Sequence, residues 1–305
     1  MPVKVVSGAV RAFRRGGSQE VLWVARKRLA AKIEPVPRAK AKRPDAKTVT
    51  KPKAPSTSPA KVQVAPKAAA PERLTAGQVS HAQALEWFAP RRKTYDRLVG
   101  AVAPFVDRDG LVLDVGANIG YFTKIFGEQL GFRGTVHLFE PIPHLAELCR
   151  ATLQDVPYTA VVHEFGLSDQ DGEIEIFQAA DGNLGWNTIV ASKASAGMQP
   201  LNIQVRAFDT CGIDGTPSFI KIDVEGAEYR VLAGMLGALE SWSPRPTILC
   251  EVGWGSGHPD WAQELEIFER LAQLGYAPQS LDGQPVDVHS ITRTTDLLFV
   301  PQRAT

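Results

Sequence analysis

A carboxylate and two glycines form the most informative pattern in the sequence. Asp114 lies in the apolar run 111–115, and Gly116 and Gly120 follow it before an apolar-periodic segment. Such a run predicts a short buried strand, and the glycines predict a tight turn into a helix. Parallel α/β sheets bind ligands at this junction, and glycine lets the backbone approach them closely because it has no Cβ atom. Asp114 would repel a pyrophosphate but would suit a ligand that carries an ammonium and a sulfonium group.

The spacing within this pattern argues against a dinucleotide. Asn118 occupies a position at which the fingerprint G-x-G-x-x-G requires glycine, and no G-x-x-x-x-G-K run of a phosphate-binding loop is present. Glu140 ends the next predicted strand about 20 residues after the glycines, the spacing at which an acid commonly accepts ribose hydroxyls. The pattern therefore favours a nucleoside with a cationic tail. A tight turn without a ligand is the alternative.

A second group of carboxylates follows another apolar run. Asp223 ends this predicted strand, Glu225 and Glu228 follow it, and Glu251 comes near the end of a further strand, so the carboxyl edge of the sheet should gather them. Methyl transfer to an alcohol needs aligned reactants and a group that removes the hydroxyl proton, which a carboxylate can do. Capping of the next helix is the alternative role, above all for Glu228. Oxygen ligands here would also suit Mg²⁺, but we predict a reaction without a metal.

The histidines and cysteines add little to this site. His258, in a glycine-rich loop, is the histidine placed to reach a substrate, although a surface position is the simpler interpretation. Cys149 and Cys250 fall in apolar patterns and are expected to be buried thiols. With Cys211 they form no C-x-x-C pair, which suits the cytosol.

The charge is divided unevenly along the 305-residue chain, although its net value is only +1. Residues 1–73 carry 18 Lys and Arg against 4 Asp and Glu, whereas residues 74–305 carry 16 against 29. An acidic body is a poor partner for the dense phosphate charge of a duplex. The stretch 223–226 also lacks the Asn/Asp-Pro-Pro-aromatic run common in enzymes that methylate base amino groups. We therefore expect no nucleic-acid partner.

The basic N-terminal part divides into two predicted segments. Residues 1–34 mix apolar and basic side chains and could form an amphipathic helix on an anionic membrane surface. Residues 35–79 are rich in Pro, Ala and Lys, which predicts a disordered, extended linker. A solvated tail without a partner is the alternative. No apolar run approaches the ~18 residues of a membrane span, so we expect a cytoplasmic protein that could contact the inner face of the membrane peripherally.

Strands alternate with helices from residue 105 to 300, which predicts an α/β fold with a doubly wound, mostly parallel sheet. The predicted strands cover 111–115, 135–140, 159–165, 218–223, 247–252, 277–281 and 296–300. The predicted helices cover 80–102 with a break or kink at Pro90, a segment ending near 130, and 143–154, 227–239 and 261–274. Two further runs, 173–177 and 203–208, alternate with the period of two that is typical of β-structure.

These motifs, in this order, resemble the FkbM-type S-adenosylmethionine-dependent methyltransferases. The similarity extends over residues 105–300 and is carried by the runs 112–123, 139–141, 166–169, 208–209 and, most specifically, 220–228. It implies a Rossmann-like seven-stranded sheet, S-adenosylmethionine as cofactor, and O-methylation of hydroxyls on sugars, glycans or related metabolites. It also implies cofactor-binding residues: Asp114, Gly116, Asn118 and Gly120, with Ala117 between them, for the methionine part, Glu140 for the ribose, and Leu167, Ser168 and Asp169 beside the adenine.

We therefore expect residues 80–305 to form a methyltransferase domain that acts on a hydroxyl of a small-molecule or glycan acceptor. Asp223, Glu225 and Glu251 are the expected catalytic residues. One alternative is a cofactor-binding domain without catalysis that serves as an interaction module. Another is a nucleic-acid methyltransferase that uses the basic arm for contact.

Overall fold

The computed structural model describes residues 79–179, 183–185 and 187–302. The predicted amphipathic segment 1–34 and, apart from Val79, the predicted linker 35–79 lie outside the described residues and stay predictions. Among the helices of the described part, none is both long and apolar enough to cross a bilayer.

The described residues form ten strands in two sheets. They are β1 (Leu111–Val115), β2 (Thr135–Phe139), β3 (Thr159–His163), β4 (Gly166–Leu167), β5 (Gly172–Gln178), β6 (Gln199–Arg206), β7 (Pro217–Ile222), β8 (Thr247–Val252), β9 (Tyr276–Gln279) and β10 (Thr295–Pro301). The main sheet has the order β3-β2-β1-β7-β8-β10-β9, in which β10 is antiparallel to both neighbours and every other pair is parallel. The predicted doubly wound, mostly parallel seven-stranded sheet is confirmed.

Six α-helices accompany these strands in the described part. They are α1 (His81–Phe88), α2 (Arg92–Val102), α3 (Tyr121–Leu130), α4 (Pro143–Thr152), α5 (Glu228–Ser241) and α6 (Trp261–Gln273). The break predicted at Pro90 separates α1 from α2, because proline lacks the N–H that a continuous helix needs. Helix α3 ends on Gly131 with a left-handed φ of 59°, which is the usual glycine cap.

The two faces of the main sheet bury different side chains. In β1, Leu113 and Val115 pack with residues of α5 and α6, whereas Val112 packs with α2, α3 and α4. Successive strand residues point to opposite faces, so Asp114 lies on the same face as Val112. Lys221 of β7 is its partner in the register. The alternation therefore places an acid and a base side by side near the carboxyl ends of two central strands.

The second sheet, of order β4-β6-β5, confirms the β-structure predicted from the period-two runs. It packs on α1 and α4 through Ile176 and Ile203. The predicted strand 159–165 is divided in the structure. Strand β3 ends at His163, and the chain then leaves the main sheet because Gly166 and Leu167 pair with β6.

Candidate active site

The turn after β1 is closely enclosed by the neighbouring strand. Gly116 has a φ of +77°, and a Cβ atom on it would lie 1.9 Å from the backbone oxygen of Asp223. Gly120, with a φ of +73°, precedes α3 and faces Cys149 and Leu153. Only glycine combines this conformation with so close an approach. Gly116 therefore brings the β1 turn into direct contact with the β7 turn, and Gly120 brings it against α4.

Asp114 lies beneath this turn and has no exposed surface. Thr123 donates a hydrogen bond from Oγ1 to its Oδ2 over 2.5 Å, and the Lys221 Nζ lies 3.4 Å from its Oδ1. A buried carboxylate needs such partners to offset its loss of hydration. The expected role of Asp114 in holding the methionine part stays a prediction, and in this conformation it would act through its charge, not through exposed contact.

Asn118 and Glu140 connect the turn to the end of β2. The Asn118 backbone N–H donates to Glu140 Oε2 over 2.8 Å, and the Ile142 backbone N–H donates to Oε1 over 3.0 Å. Glu140 is 5% exposed, and burial raises its pKa to about 7. A carboxylate has about four acceptor positions, so Glu140 retains the capacity to accept hydroxyl groups.

The three predicted catalytic carboxylates meet at the same edge of the sheet. One oxygen from each of Asp223, Glu225 and Glu251 lies within 4.8 Å of the others. Burial, together with the charges of Asp223 and Glu225, raises the pKa of Glu251 well above its usual range. Glu251 thus tends to keep a proton and can donate a hydrogen bond beside two acceptors. The same oxygens could hold a hard cation such as Mg²⁺, and the metal-free reaction stays a prediction.

Lys221 is a site residue that the sequence analysis missed. Its buried ammonium lies 3.4 Å from Asp223 Oδ2 and 3.4 Å from Asp114 Oδ1, and it donates to the Gly116 carbonyl over 3.4 Å. Burial opposes the charged form, but the two carboxylates outweigh it and raise the pKa of Lys221. A charged residue inside an apolar strand, two positions before an acid, is the signal that could have revealed it.

The loop after β7 is fixed by contacts of its own backbone. Glu225 has a left-handed φ of 55°, and Thr188 donates from Oγ1 to the Glu225 carbonyl over 2.7 Å. Glu228 accepts hydrogen bonds from the N–H groups of Val224 and Gly226. The Glu228 carboxylate thus fixes the backbone of the loop before α5. Helix α5 begins at Glu228 without a side-chain hydrogen bond at its N-terminal cap, so the alternative capping role is not seen.

His258 contacts the backbone of this loop at Gly226. It is 4% exposed, its Nε2 lies 3.2 Å from the Gly226 carbonyl, and its Nδ1 accepts from the Asp260 N–H over 3.0 Å. Burial lowers its pKa, so the neutral ring donates from Nε2 and accepts at Nδ1. The expected surface position was wrong, because both ring nitrogens are used by the backbone of neighbouring loops.

The segment proposed for the adenine lies against α5. Gly166 begins it beside Pro141, and Leu167 and Ser168 are both buried. The Ser168 carbonyl packs on Gly234 in α5, and Asp169 accepts from the Ser168 hydroxyl over 2.9 Å. Leu167 belongs to the same apolar cluster as Val115 at the end of β1, and the contact of this segment with adenine stays a prediction.

Comparisons with known proteins agree with this architecture. A family model described as the methyltransferase FkbM domain matches residues 114–278, more than half of the chain. The hexuronic acid methyltransferase AglP of Haloferax volcanii is 28% identical over 135 residues, which make up 44% of this chain and 54% of the relative. The chain thus spans about half the length of this curated relative.

Two methyltransferases are among the solved structures to which the chain is similar. The precorrin-6y C5,15-methyltransferase from Geobacter metallireducens has a TM-score of 0.38 and 11% identity, covering 68% of this chain and 87% of that chain. An rRNA methylase from Streptococcus thermophilus has a TM-score of 0.39 and 10% identity, covering 67% of this chain and 94% of that chain.

The residues at this edge fit a cationic nucleoside as methyl donor. Asp114 and Asp223 share the single cation of Lys221, so the edge keeps negative charge for a sulfonium and an ammonium group. Glu140 keeps free acceptor positions beside the glycine turn. The methyl donor is S-adenosylmethionine, and the chain belongs to the FkbM methyltransferase family.

Proposed function

We propose that this protein methylates a hydroxyl oxygen of a carbohydrate. The observation that carries the proposal is the group of Asp223, Glu225 and Glu251, whose carboxylate oxygens lie within 4.8 Å of one another. They lie at the same edge of the sheet as the turn after β1, residues 116–120, which we call the donor turn. A sugar presents several hydroxyls that can donate and accept hydrogen bonds together. The Haloferax relative, whose name gives hexuronic acid as its substrate, supports an acceptor of this class.

The charge of the site favours a hydroxyl over a carboxylate as the methylated group. A carboxylate acceptor would enter beside Asp223 and Glu225, and like charges at this distance repel. A hydroxyl meets no such repulsion, and its proton can pass to a carboxylate as the new bond forms. The expected product is therefore a methyl ether and not a methyl ester.

The donor would be held by the turn after β1 and by the end of β2. When bound, S-adenosylmethionine supplies an electrophilic methyl group on a positively charged sulfur. In our proposal the backbone of Gly116, Ala117, Asn118 and Gly120 surrounds the methionine part, and Asp114 contributes its charge from below. Glu140 accepts the ribose hydroxyls at its remaining lone pairs.

The acceptor would be held by the three carboxylates. We assign the proton-accepting role to Asp223, whose side chain is 38% exposed and lies 3.4 Å from Lys221. Glu251, which tends to keep its proton, donates a hydrogen bond to a neighbouring sugar oxygen. Glu225 accepts from a second hydroxyl and fixes the sugar's orientation. Two fixed contacts of this kind align the reacting hydroxyl, which accounts for a large part of the rate of a bimolecular transfer.

Labelled methyl transfer tests the acceptor class. The full chain is incubated with methyl-labelled S-adenosylmethionine and with nucleotide-linked sugars, lipid-linked sugars or RNA. We expect label in a sugar and none in RNA. Label found in RNA alone would overturn the carbohydrate assignment in favour of a nucleic-acid acceptor.

Mild alkali then tests the type of bond. A methyl ether survives this treatment, whereas a methyl ester releases labelled methanol. We expect the label to remain on the sugar. Release of the label would show that a carboxylate is the acceptor. Glu225→Gln alters the proposed acceptor of the second hydroxyl and should slow methyl transfer. Glu269→Gln, at an exposed position on α6, is its matched control and should transfer methyl at the wild-type rate.

A further inference from the structure

Lys221 occupies a position that belongs to both halves of the site. Asp114, opposite it in the β1–β7 register, lies beneath the donor turn, whereas Asp223, two residues further along the chain, lies on the acceptor side. The ammonium reaches an oxygen of each at 3.4 Å and also the carbonyl of Gly116 at 3.4 Å. One side chain thus contacts the donor turn and the proposed proton acceptor.

The two contacts differ in their surroundings. Asp114 is fully buried, so its carboxylate depends on Lys221 and Thr123 for compensation. Asp223 is partly exposed, and water can solvate it if Lys221 is removed. Removal of the Lys221 ammonium should therefore destabilise the fold, because the buried Asp114 carboxylate loses its compensating charge. At Asp223 the same change should release the carboxylate from its position without a large loss of stability.

We propose that Lys221 is a positioning residue that holds the Asp223 carboxylate toward the acceptor and compensates the charge of Asp114 under the donor turn. The inference rests on the proposed function in taking Asp223 as the proton acceptor. Its part concerning Asp114 is independent of any acceptor.

A stability cycle tests the contact with Asp114. Lys221→Met leaves a buried carboxylate without its cation, and we expect a clear loss of thermal stability. Asp114→Asn combined with Lys221→Met removes both charges and should recover most of that loss. Equal losses in the single Lys221→Met variant and in the double variant would overturn this part of the proposal.

A kinetic comparison in the rescued background tests the contact with Asp223. The double variant differs from the Asp114→Asn variant only at residue 221, so Asp114→Asn is the reference for its kcat. We expect kcat in the double variant to be lower than in this reference by about 10- to 100-fold. Both kcat values are measured with S-adenosylmethionine at saturation, and the acceptor KM should differ little between the two. A role in folding alone would leave kcat equal in the two variants, and that result would overturn the proposal.

Lys221→Arg is the conservative control. The guanidinium keeps the positive charge and can contact two carboxylates, so this variant should retain a higher kcat than Lys221→Met. Failure of the wild-type protein to methylate any hydroxyl would overturn the proposed function and, with it, the role of Lys221 toward Asp223. The stability cycle would still decide its role toward Asp114.

Discussion

Single residues at this site adopt backbone conformations that are uncommon for their type. Among the described residues, the non-glycine residues with positive φ are Asn118, Glu225 and Trp254. They lie in the turns after β1, β7 and β8, all at the carboxyl edge of the sheet. Such conformations cost free energy and persist where the surroundings enforce them, often at functional sites. Their shared location supports this edge of the sheet as the functional site of the protein.

Gly116→Ala tests the contact between the β1 and β7 turns. The added Cβ would lie 1.9 Å from the Asp223 oxygen at a residue whose φ is +77°, so the backbone must move. We expect a loss of about 2–4 kcal/mol in the free energy of unfolding and a weaker affinity for S-adenosylmethionine. Urea unfolding and calorimetry measure the two effects.

Gly100→Ala is the control for this substitution. Gly100 lies in α2, and a Cβ atom added to it would meet nothing within 4 Å, so alanine there should stabilise the helix by up to about 1 kcal/mol. A Gly116→Ala variant as stable as the wild type would contradict the close approach of the two turns.

Glu264 gives the protein a pH-dependent stability. Both of its carboxylate oxygens are buried without a hydrogen bond, and burial, with a contribution from Glu228, raises its pKa to about 8 from a usual value of 4.5. Between these two values the folded protein binds more protons than the unfolded chain, so stability falls as pH rises. Glu264→Gln removes the titrating group and should flatten the decline between pH 4.5 and 8, measured by urea unfolding. An unchanged slope would contradict the assignment.

The sequence predicted the residues of this edge better than it predicted their contacts. Asp223, Glu225 and Glu251 could be placed together because the carboxyl ends of parallel strands share one edge. Lys221 was missed because its contact with Asp114 depends on the β1–β7 register. The position of His258 depends on the path of two loops, which no local pattern encodes.

At the scale of elements, the loop between β5 and β6 contacts both halves of the site. Asn118 donates from Nδ2 to the Leu184 carbonyl over 2.5 Å, which ties the donor turn to this loop. Thr188 donates to the Glu225 carbonyl over 2.7 Å, which connects the loop after β7 to the loop between β5 and β6. The loop that joins β5 to β6 therefore helps to position the site.

Thr188→Val tests this connection without changing the shape of the side chain. It removes the hydrogen bond to the Glu225 carbonyl and the one that the hydroxyl accepts from the Val190 N–H, and we expect a loss of about 1–2 kcal/mol in the free energy of unfolding. The kcat should fall, whereas the affinity for S-adenosylmethionine should change little. Thr188→Ser keeps the hydroxyl and serves as the control. Equal kcat values for the Val and Ser variants would contradict a positioning role for this hydrogen bond.

Local patterns predicted the elements of the main sheet but not the pairing of the second sheet. The period of two identified 173–177 and 203–208 as β-structure, and proline explained the break between α1 and α2. Pairing of β4 with β6 joins residues about 40 positions apart in the chain, which periodicity does not specify. The early end of β3 follows from that pairing.

At the scale of the whole molecule, the charge divides into a basic N-terminal part and an acidic remainder. The described contacts of the site come from residues 79–302. Removal of residues 1–73 should therefore leave the affinity for S-adenosylmethionine and the turnover of a soluble acceptor unchanged. Calorimetry and labelled transfer check this, and loss of turnover would show that the basic part belongs to the active unit.

The same truncation tests the predicted membrane contact. The full chain should cosediment with vesicles that contain anionic lipid, and salt should weaken that binding. The truncated chain should remain in the supernatant. Equal behaviour of the two chains would contradict a membrane role for residues 1–34.

Single-turnover methyl transfer by the wild type and by Asp223→Asn is the sharpest test of the proposed mechanism. The protein is loaded with labelled S-adenosylmethionine, and transfer to the sugar identified by the acceptor panel is followed after mixing. The amide cannot accept the hydroxyl proton, so we predict a transfer rate, measured with the donor site saturated, that is lower by about 10²- to 10⁴-fold. A wild-type transfer rate in Asp223→Asn would contradict the role of this carboxylate as proton acceptor.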